Sequence, residues 1–284
     1  MVPQSFEYSA PKTLSEALSL LGNGGKPLAG GMSLIPMMKL RLATPEHLVD
    51  LGRIRDLNYI REDKDGLHIG ATTTHHTVEA SALLQAKCPL LPEAASSIGD
   101  GQVRNMGTIG GSIAHADPAA DYPAALQALE AGIVIASSSG ERRVNASEFF
   151  LDSFSTALEP GEIVREIVVP VEAAGMGTHY QKMAHPASGF AVVGVAARVQ
   201  RKGGQITLAR IGVTGVSNIA YRATAAEKAL EGTPGSAEDV RKAAALVAQG
   251  VDANADLYAS AEYRTHLASV YAARAIAAAL KAVV

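Results

Sequence analysis

The sequence predicts an α+β chain in two domains, on three observations. Strand-like and helical stretches alternate through the N-terminal part and stop at Ala173-Ala-Gly-Met-Gly-Thr178, which reads as a linker. Two long strand patterns, 191–200 and 205–213, are then joined by Lys202-Gly203-Gly204. The remainder is Ala-rich and helical, with runs at 223–230, 237–249 and 260–280. The expected domains are 1–175, made of subdomains 1–57 and 58–175, followed by 176–284. A chain of 284 residues accommodates both.

Taken in order, Phe6–Tyr8 alternates as a short strand. Thr13-x-x-Glu16 is a capping box, and Leu14, Ala17, Leu18 and Leu21 recur at helical spacing until Gly22–Gly25 stops them. Lys26–Ala29 is a strand that turns on Gly30-Gly31, and Ser33 caps a helix over 34–42. His47–Leu51 reads as a buried strand. Asn58–Glu62 and Leu67–Ala71 form a hairpin about Lys64-Asp65-Gly66. Thr77–Ser97 is helical but broken by Pro89 and Pro92, and Gly99–Gly111 is turn-rich. Asp117 caps a helix reaching Glu130, with Pro118 at its first position. Strands at Ile133–Ala136 and Arg142–Asn145 flank Ser-Ser-Gly, and Ile163–Val169 forms a third.

Hydrophobic residues make up 48% and charged ones 19%, the balance of a folded chain and not a disordered one. A net charge of -3, with Lys and Arg scattered, leaves no footprint for nucleic acid. The most apolar stretch, Tyr271–Val284, contains Arg274 and Lys281 and is shorter than the roughly 20 residues that cross a bilayer. No transmembrane segment and no signal peptide are therefore expected, and the location expected is cytoplasmic. The single cysteine, Cys88, excludes an intrachain disulfide and fits a reducing compartment. One thiol also falls short of the about four thiolates that hold an iron–sulfur cluster, so any such centre belongs to another chain.

Two glycine segments stand out. Leu28-Ala-Gly-Gly-Met-Ser-Leu-Ile-Pro36 turns from strand into helix. Gln102-Val-Arg-Asn-Met-Gly-Thr-Ile-Gly-Gly-Ser112 runs on into Ile113-Ala-His-Ala-Asp-Pro-Ala-Ala-Asp121. Glycine permits close approach and positive φ, and free N–H groups at a helix start or nest attract phosphate oxygens. Two such loops suit the pyrophosphate of a dinucleotide; paired glycines also make plain tight turns. Neither loop is G-x-G-x-x-G with a ribose-binding acid, which argues against a Rossmann nicotinamide site. No G-x-x-x-x-G-K-[ST] occurs, so a P-loop is excluded.

Together, AGGMSLIPMMKLRLATPEHLVDL (Ala29–Leu51) and QVRNMGTIGGSIAHADPAADYPAAL (Gln102–Leu126) resemble the FAD-binding medium subunits of the molybdenum hydroxylases. This is the xanthine dehydrogenase family, which includes the flavoprotein subunit of carbon monoxide dehydrogenase. The resemblance covers nearly the whole chain, including Gly70-Ala-Thr-Thr-Thr-His75. It implies the FAD-binding fold of the vanillyl-alcohol-oxidase/cresol-methylhydroxylase type. There, two α+β subdomains clasp an extended FAD, and a C-terminal domain of a small antiparallel sheet and helices closes over it.

By position, the resemblance implies FAD contacts at Leu28, Ala29, Gly30, Gly31, Met32, Ser33, Leu34 and Ile35 in the first loop. The second supplies Gly101, Val103, Asn105, Thr108, Ile109, Gly110, Gly111 and Ser112; Ile98, Asp121, Val164, Lys182 and Phe190 complete the set. FAD is expected to be non-covalent, since no family-matched attachment residue is present. Also implied are a large partner subunit holding a molybdenum cofactor and a small one holding [2Fe–2S] clusters, as a dimer of heterotrimers. The chain itself would be an electron relay to NAD+, oxygen or a quinone-linked acceptor, with no residue acting on the organic substrate. A self-contained flavin oxidase or reductase of the same fold is the alternative, and a non-enzymatic module a further one.

The chain departs from the family pattern in places. Met32 occupies a variable position and is expected to contribute backbone only, Ser112 stands where some relatives have Asn, and Met183-Ala-His185 replaces frequent arginines. His75 and His76 are adjacent and lack the spacing of a helical metal pair, so no metal site is expected there. His115 is expected to make turn hydrogen bonds, and Cys88 to be a small buried hydrophobe. Phe190 is either a flavin neighbour or an ordinary core aromatic.

Overall fold

The computed structural model describes residues 2–283. Its first unit is a parallel sheet of β1 (Glu7–Ser9), β2 (Lys26–Leu28) and β3 (His47–Asp50), ordered β1-β3-β2. Parallel neighbours need crossovers, which contain α1 (Leu14–Gly22) and α2 (Leu34–Lys39). The helical spacing read from the sequence buries Ala17, Leu18 and Leu21 of α1. Only half of the predicted capping box forms. Thr13 accepts the Glu16 N–H, but the Glu16 carboxylate takes the Lys12 N–H at 3.1 Å and not that of Thr13. Ser33 does not cap α2 with its side chain, because its backbone (φ -105°, ψ -50°) is already helical where a capping residue is extended. α2 ends three residues short of the expected Leu42.

The second unit begins with the predicted hairpin, β4 (Ile60–Asp63) and β5 (Gly66–Gly70). Six short helices follow: α3 (His75–Ala80), α4 (Ala82–Lys87), α5 (Leu90–Ser96), α6 (Gly101–Met106), α7 (Ile109–His115) and α8 (Asp121–Ala128). After them come β6 (Gly132–Ser137), β7 (Gly140–Asn145), α9 (Ala146–Phe149), the ribbon β8 (Phe150–Asp152) with β9 (Ser155–Thr156), and β10 (Ile163–Val169). The sheet runs β4-β5-β10-β6-β7, antiparallel throughout, so its last strand in sequence occupies its centre.

Two expectations fail here. Gly99–Gly111 is not only turns: Asp100 accepts the Val103 N–H at 2.9 Å and Thr108 the Gly111 N–H at 3.2 Å, each starting a short helix. Asp117 does not cap α8. Its carboxylate accepts the Ala119 N–H at 2.8 Å, closing a local turn, and the helix starts four residues later with all eight of its residues buried. A helix buried on every side sits between layers. α8 packs on α5 below and on two long strands of the next unit above, 191–202 and 205–214, so near that a Cβ on Gly212 would lie 1.9 Å from the Ala124 carbonyl oxygen.

That next unit is an antiparallel sheet of β11 (Met176–Ala184), β12 (Ala191–Lys202), β13 (Gln205–Thr214) and β14 (Tyr221–Arg222), in that order. It is covered by α10 (Thr224–Leu230), α11 (Ala237–Ala244) and α12 (Ala261–Lys281). β11 was hidden from sequence because the inward residues Thr178, Tyr180 and Lys182 are polar, which erases the apolar alternation. α12 buries Leu267, Ala268, Ala272, Ala275, Ile276 and Ala279 on one stripe. Its alanines let it lie flat on the sheet: a Cβ on Gly177 would come within 2.0 Å of the Ala279 carbonyl oxygen. Among the described residues no helix is long and apolar enough to cross a membrane.

Candidate functional site

The turn after β2 is an open nest of amides. Among the described residues, none accepts a hydrogen bond from the backbone N–H groups of Gly30, Gly31, Met32, Ser33 or Leu34. Consecutive free N–H groups on a turn concentrate positive potential and bind anionic oxygens. Gly31 has φ +72°, a conformation that glycine adopts without strain. Gly30 is required for a different reason. A Cβ there would lie 2.0 Å from the Met106 carbonyl oxygen and 2.7 Å from Gly107 Cα, so the first loop is seated directly on the second segment.

The second segment is not a second nest, which corrects the expectation that both loops offer free amides. The Ile109 N–H donates to Thr73 O (3.0 Å), Gly110 to Ala71 O (2.9 Å), Gly111 to Thr108 Oγ1 (3.2 Å) and Ser112 to Thr108 O (3.0 Å). These amides are spent on fastening α7 to the 71–74 strand end. A Cβ on Gly110 would lie 2.5 Å from that of Ala71, so this glycine too serves close backbone packing. The first loop presents amides and the second holds it in place.

Arg104 fastens the segment from its other end. Its guanidinium donates to the Ile98 and Gly99 carbonyls at 3.0 and 3.3 Å and to Glu79 of α3 at 2.8 Å. Beside it lies a buried ion pair. Lys182 Nζ donates to Asp121 Oδ2 and to the Ser97 carbonyl, both at 2.8 Å, and Tyr180 OH donates to Asp121 Oδ1 at 2.6 Å. Burial raises the Asp121 carboxyl, opposed by the Lys182 charge and by hydrogen bonds from Lys182 and Tyr180. This cluster ties the C-terminal sheet to the first residue of α8 and to the turn after α5.

His75 and His76 point apart, as their adjacency requires. His76 is exposed; His75 is buried against Tyr122, with ring centroids 5.3 Å apart, and its N–H donates to Gly107 O at 2.9 Å. A Cβ on Gly107 would sit 2.6 Å from His75 Nε2, so the ring is a floor beneath the second glycine segment, on which the first is seated. Its Nδ1 and the Tyr122 hydroxyl are buried without partners. Burial, and then the Arg104 charge, hold the imidazole down to about 4. A depressed value means that the unfolded chain takes up a proton first as pH falls. His75 therefore stabilises the chain above about pH 6.5 and loses that contribution toward pH 4, by on the order of 2 kcal/mol between pH 7 and 5. Urea unfolding of His75→Phe beside the parent tests this. The parent should lose more stability across that window, and equal losses would refute the assignment.

The remaining candidates divide by burial. Val164 lies in the core on which α7 packs, and Ile109 is fully buried, so neither side chain reaches the loop surface. Met32, Ile35 and Phe190 are exposed, and Phe190 is thus not a core aromatic. Gly101, Val103 and Asn105 share α6 with Arg104, while Ile98 and Leu28 are half-buried beside the loops. His115 makes no turn hydrogen bond among the described residues; its ring stacks on Phe154 at 5.1 Å. Cys88 is fully buried, and burial pushes its thiol up, leaving it the inert small hydrophobe expected. Sequence reasoning missed Arg104, Tyr180 and the floor role of His75. Arg104 stood inside a quoted motif, whereas Tyr180 sat on β11, a strand not expected from the sequence, just past the stretch read as linker.

Residues 4–172 match the family described as the FAD binding domain in molybdopterin dehydrogenase, and residues 178–279 match the CO dehydrogenase flavoprotein C-terminal domain. The chain is 43% identical over 282 residues to a carbon monoxide dehydrogenase medium chain of Hydrogenophaga pseudoflava, covering 98% of each. It is 39% identical over 277 residues to a glyceraldehyde dehydrogenase medium chain of Sulfolobus acidocaldarius, covering 97% of this chain and 98% of that one. A solved structure of the Hydrogenophaga carbon monoxide dehydrogenase, lacking the Mo-pyranopterin moiety of its cofactor, superposes with a TM-score of 0.97. That match has 44% identity and covers all of both chains.

Proposed function

Since the chain belongs to the family of the FAD-binding domain in molybdopterin dehydrogenases, matched in both of its domains, we propose that it binds FAD without a covalent bond. It is the electron-transferring subunit of a heteromeric molybdenum hydroxylase. The observation that carries the assignment is the nest at 30–34, five free amides seated on a support that glycine alone permits. The donor set fits a pyrophosphate: backbone N–H groups and no competing carboxylate in the turn.

When bound, FAD supplies the exchange between single electrons and electron pairs. The chain's own residues bind, orient and screen. Gly30, Gly31, Met32, Ser33 and Leu34 would hold the pyrophosphate through their amides, with Leu28, Ala29 and Ile35 flanking it. Thr108, Gly110, Gly111 and Ser112 bring the second segment against it, with Gly101, Val103, Asn105 and Ile98 along its length. Asp121 and Lys182, paired and buried, would brace the site from behind, Val164 would lie in the core beneath it, and the exposed Phe190 would face the ring. No residue of this chain acts as acid or base on the organic substrate.

A large subunit with the molybdenum cofactor and a small one with [2Fe–2S] clusters complete the enzyme, and we place the assembly as a dimer of heterotrimers in the cytoplasm. The single cysteine supports both the location and the absence of a cluster on this chain. The domain division is 1–175, with subdomains 1–57 and 58–175, and 176–284; the start of β11 at Met176 supports it. The organic substrate is set elsewhere, since relatives near 40% identity are named for carbon monoxide and for glyceraldehyde.

The test is an absorption spectrum of the purified chain, followed by acid release of any flavin. Bands at about 370 and 450 nm, where oxidised flavins absorb, with FAD in the supernatant, are expected. A colourless chain that gains no flavin on reconstitution would overturn the assignment. Substrate turnover by the chain alone would instead make it a self-contained flavin enzyme.

A further inference from the structure

The hairpin between β11 and β12 ends in a closed turn, residues 185–190, built around one imidazole. His185 Nδ1 accepts the Ala187 N–H at 3.2 Å and the Ser188 N–H at 3.3 Å. The backbone closes the same turn: Gly189 donates to His185 O and His185 to Phe190 O, both at 2.8 Å. Ser188 Oγ accepts the Phe190 N–H at 3.4 Å. Gly189, at φ +73°, rests on the head of the second glycine segment, where its Cβ would lie 3.7 Å from Gly99 Cα. At the end of this turn Phe190 is 44% exposed.

A ring nitrogen that accepts two N–H groups carries no proton, so His185 is neutral with its proton on Nε2. An imidazolium has no acceptor, and would aim its own N–H at two others. The ring thus adds an acceptor for the Ala187 and Ser188 amides to a turn whose ends are held by two backbone hydrogen bonds. The groups around it do not compensate. From the 252–259 segment, Tyr258 packs on the ring at 4.4 Å, and the Asp256 carboxylate is taken by the Tyr258 and Ala259 amides and by Arg264. On its own strand Lys182 pairs with Asp121, and beyond Gly99 the Asp100 carboxylate holds the Val103 amide. Among the described residues none of these groups hydrogen-bonds to the His185 ring.

We propose that His185 is a positioning residue: by accepting the Ala187 and Ser188 amides it fixes the turn that carries Phe190 across the open face of the flavin site. This rests on the FAD assignment above. It gives the site a cover whose closure depends on a residue standing where no amide, carboxylate or cation of another element could substitute.

Two measurements on the full chain test it, iodide quenching of bound-flavin fluorescence and amide hydrogen exchange over residues 184–191, both at one pH. His185→Asn keeps an acceptor on Cγ; His185→Ala removes it. Quenching and exchange should rise about threefold in His185→Ala and stay at the parent's low value in His185→Asn. The proposal is overturned if His185→Ala matches the parent, or if His185→Asn behaves as His185→Ala does. A chain that shows no flavin absorption and releases no FAD would defeat the FAD assignment instead, and the exchange measurement, which needs no flavin, would still decide the role of His185.

Discussion

Gly30→Ala is expected to weaken FAD binding by about 100-fold while leaving the C-terminal domain folded. The new methyl group would stand 2.0 Å from the Met106 carbonyl oxygen and 2.7 Å from Gly107 Cα, and both obstacles are backbone, unable to swing aside as a side chain does. The loops must part, and the amides of residues 30–34 lose the support that aims them. Overpacking of this kind costs about 1–3 kcal/mol, and with backbone on two sides the upper end applies, which is about 100-fold in a dissociation constant. Gly22→Ala is the control, since a Cβ there meets nothing within 4 Å and its φ is ordinary. Flavin fluorescence titration decides the matter: binding within twofold of the parent would mean that the nest is not where the pyrophosphate sits.

Lys182→Met should be the most destabilising single change at the site, by about 3–5 kcal/mol, because it strands a buried carboxylate. Lys182 and Asp121 side chains are 6% and 4% exposed, so water cannot replace the lost partner. Asp121→Asn with Lys182→Met should recover much of the loss, since no charge is then left buried. The pH dependence carries a second signature. Burial already raises the Asp121 carboxyl, and without Lys182 it rises further. A carboxyl raised in the folded chain contributes its stability at low pH and loses it as pH climbs through the folded value. The deficit of Lys182→Met should therefore deepen in urea unfolding as pH rises from about 4, the ordinary aspartate value, toward neutrality. A deficit below about 1 kcal/mol, or one that shrinks with rising pH, would show the pair to be solvated.

Much of this fold was legible in sequence where one physical signal dominated. The apolar runs Ile133–Ala136 and Ile163–Val169 announced strands, and Lys64-Asp65-Gly66 announced a hairpin. The family resemblance placed both glycine loops, and Gly30 meets Met106 as two segments of one site would. What stayed hidden was decided by tertiary partners. β11 turns Tyr180 and Lys182 inward onto Asp121 and the Ser97 carbonyl, and period-two hydrophobicity cannot register a polar partner. Free amides in the first loop and spent amides in the other are written with the same glycine-rich composition. Only the positions of the Thr73 and Ala71 carbonyls, more than thirty residues upstream, separate them. α8 was misread because Asp117-Pro118 has the composition of a helix start and the geometry of a turn.

The order β4-β5-β10-β6-β7 also bears on how the chain is made. The strand at the middle of the sheet is the last to leave the ribosome, roughly ninety residues after β5, a delay of about 5–20 s at ordinary synthesis rates. Until then the nascent protein holds two hairpins with facing unpaired edges and nothing between them. Such edges invite pairing with other chains, so the interval is one of exposure to aggregation and of dependence on chaperones. Because α7 is fastened to the end of β5, and the Ala71 N–H bonds to the Arg165 carbonyl in β10, the flavin cradle cannot be complete before that strand arrives. Cofactor loading is therefore a late event in the life of this subunit, following synthesis of most of the chain and never guiding its first folding steps.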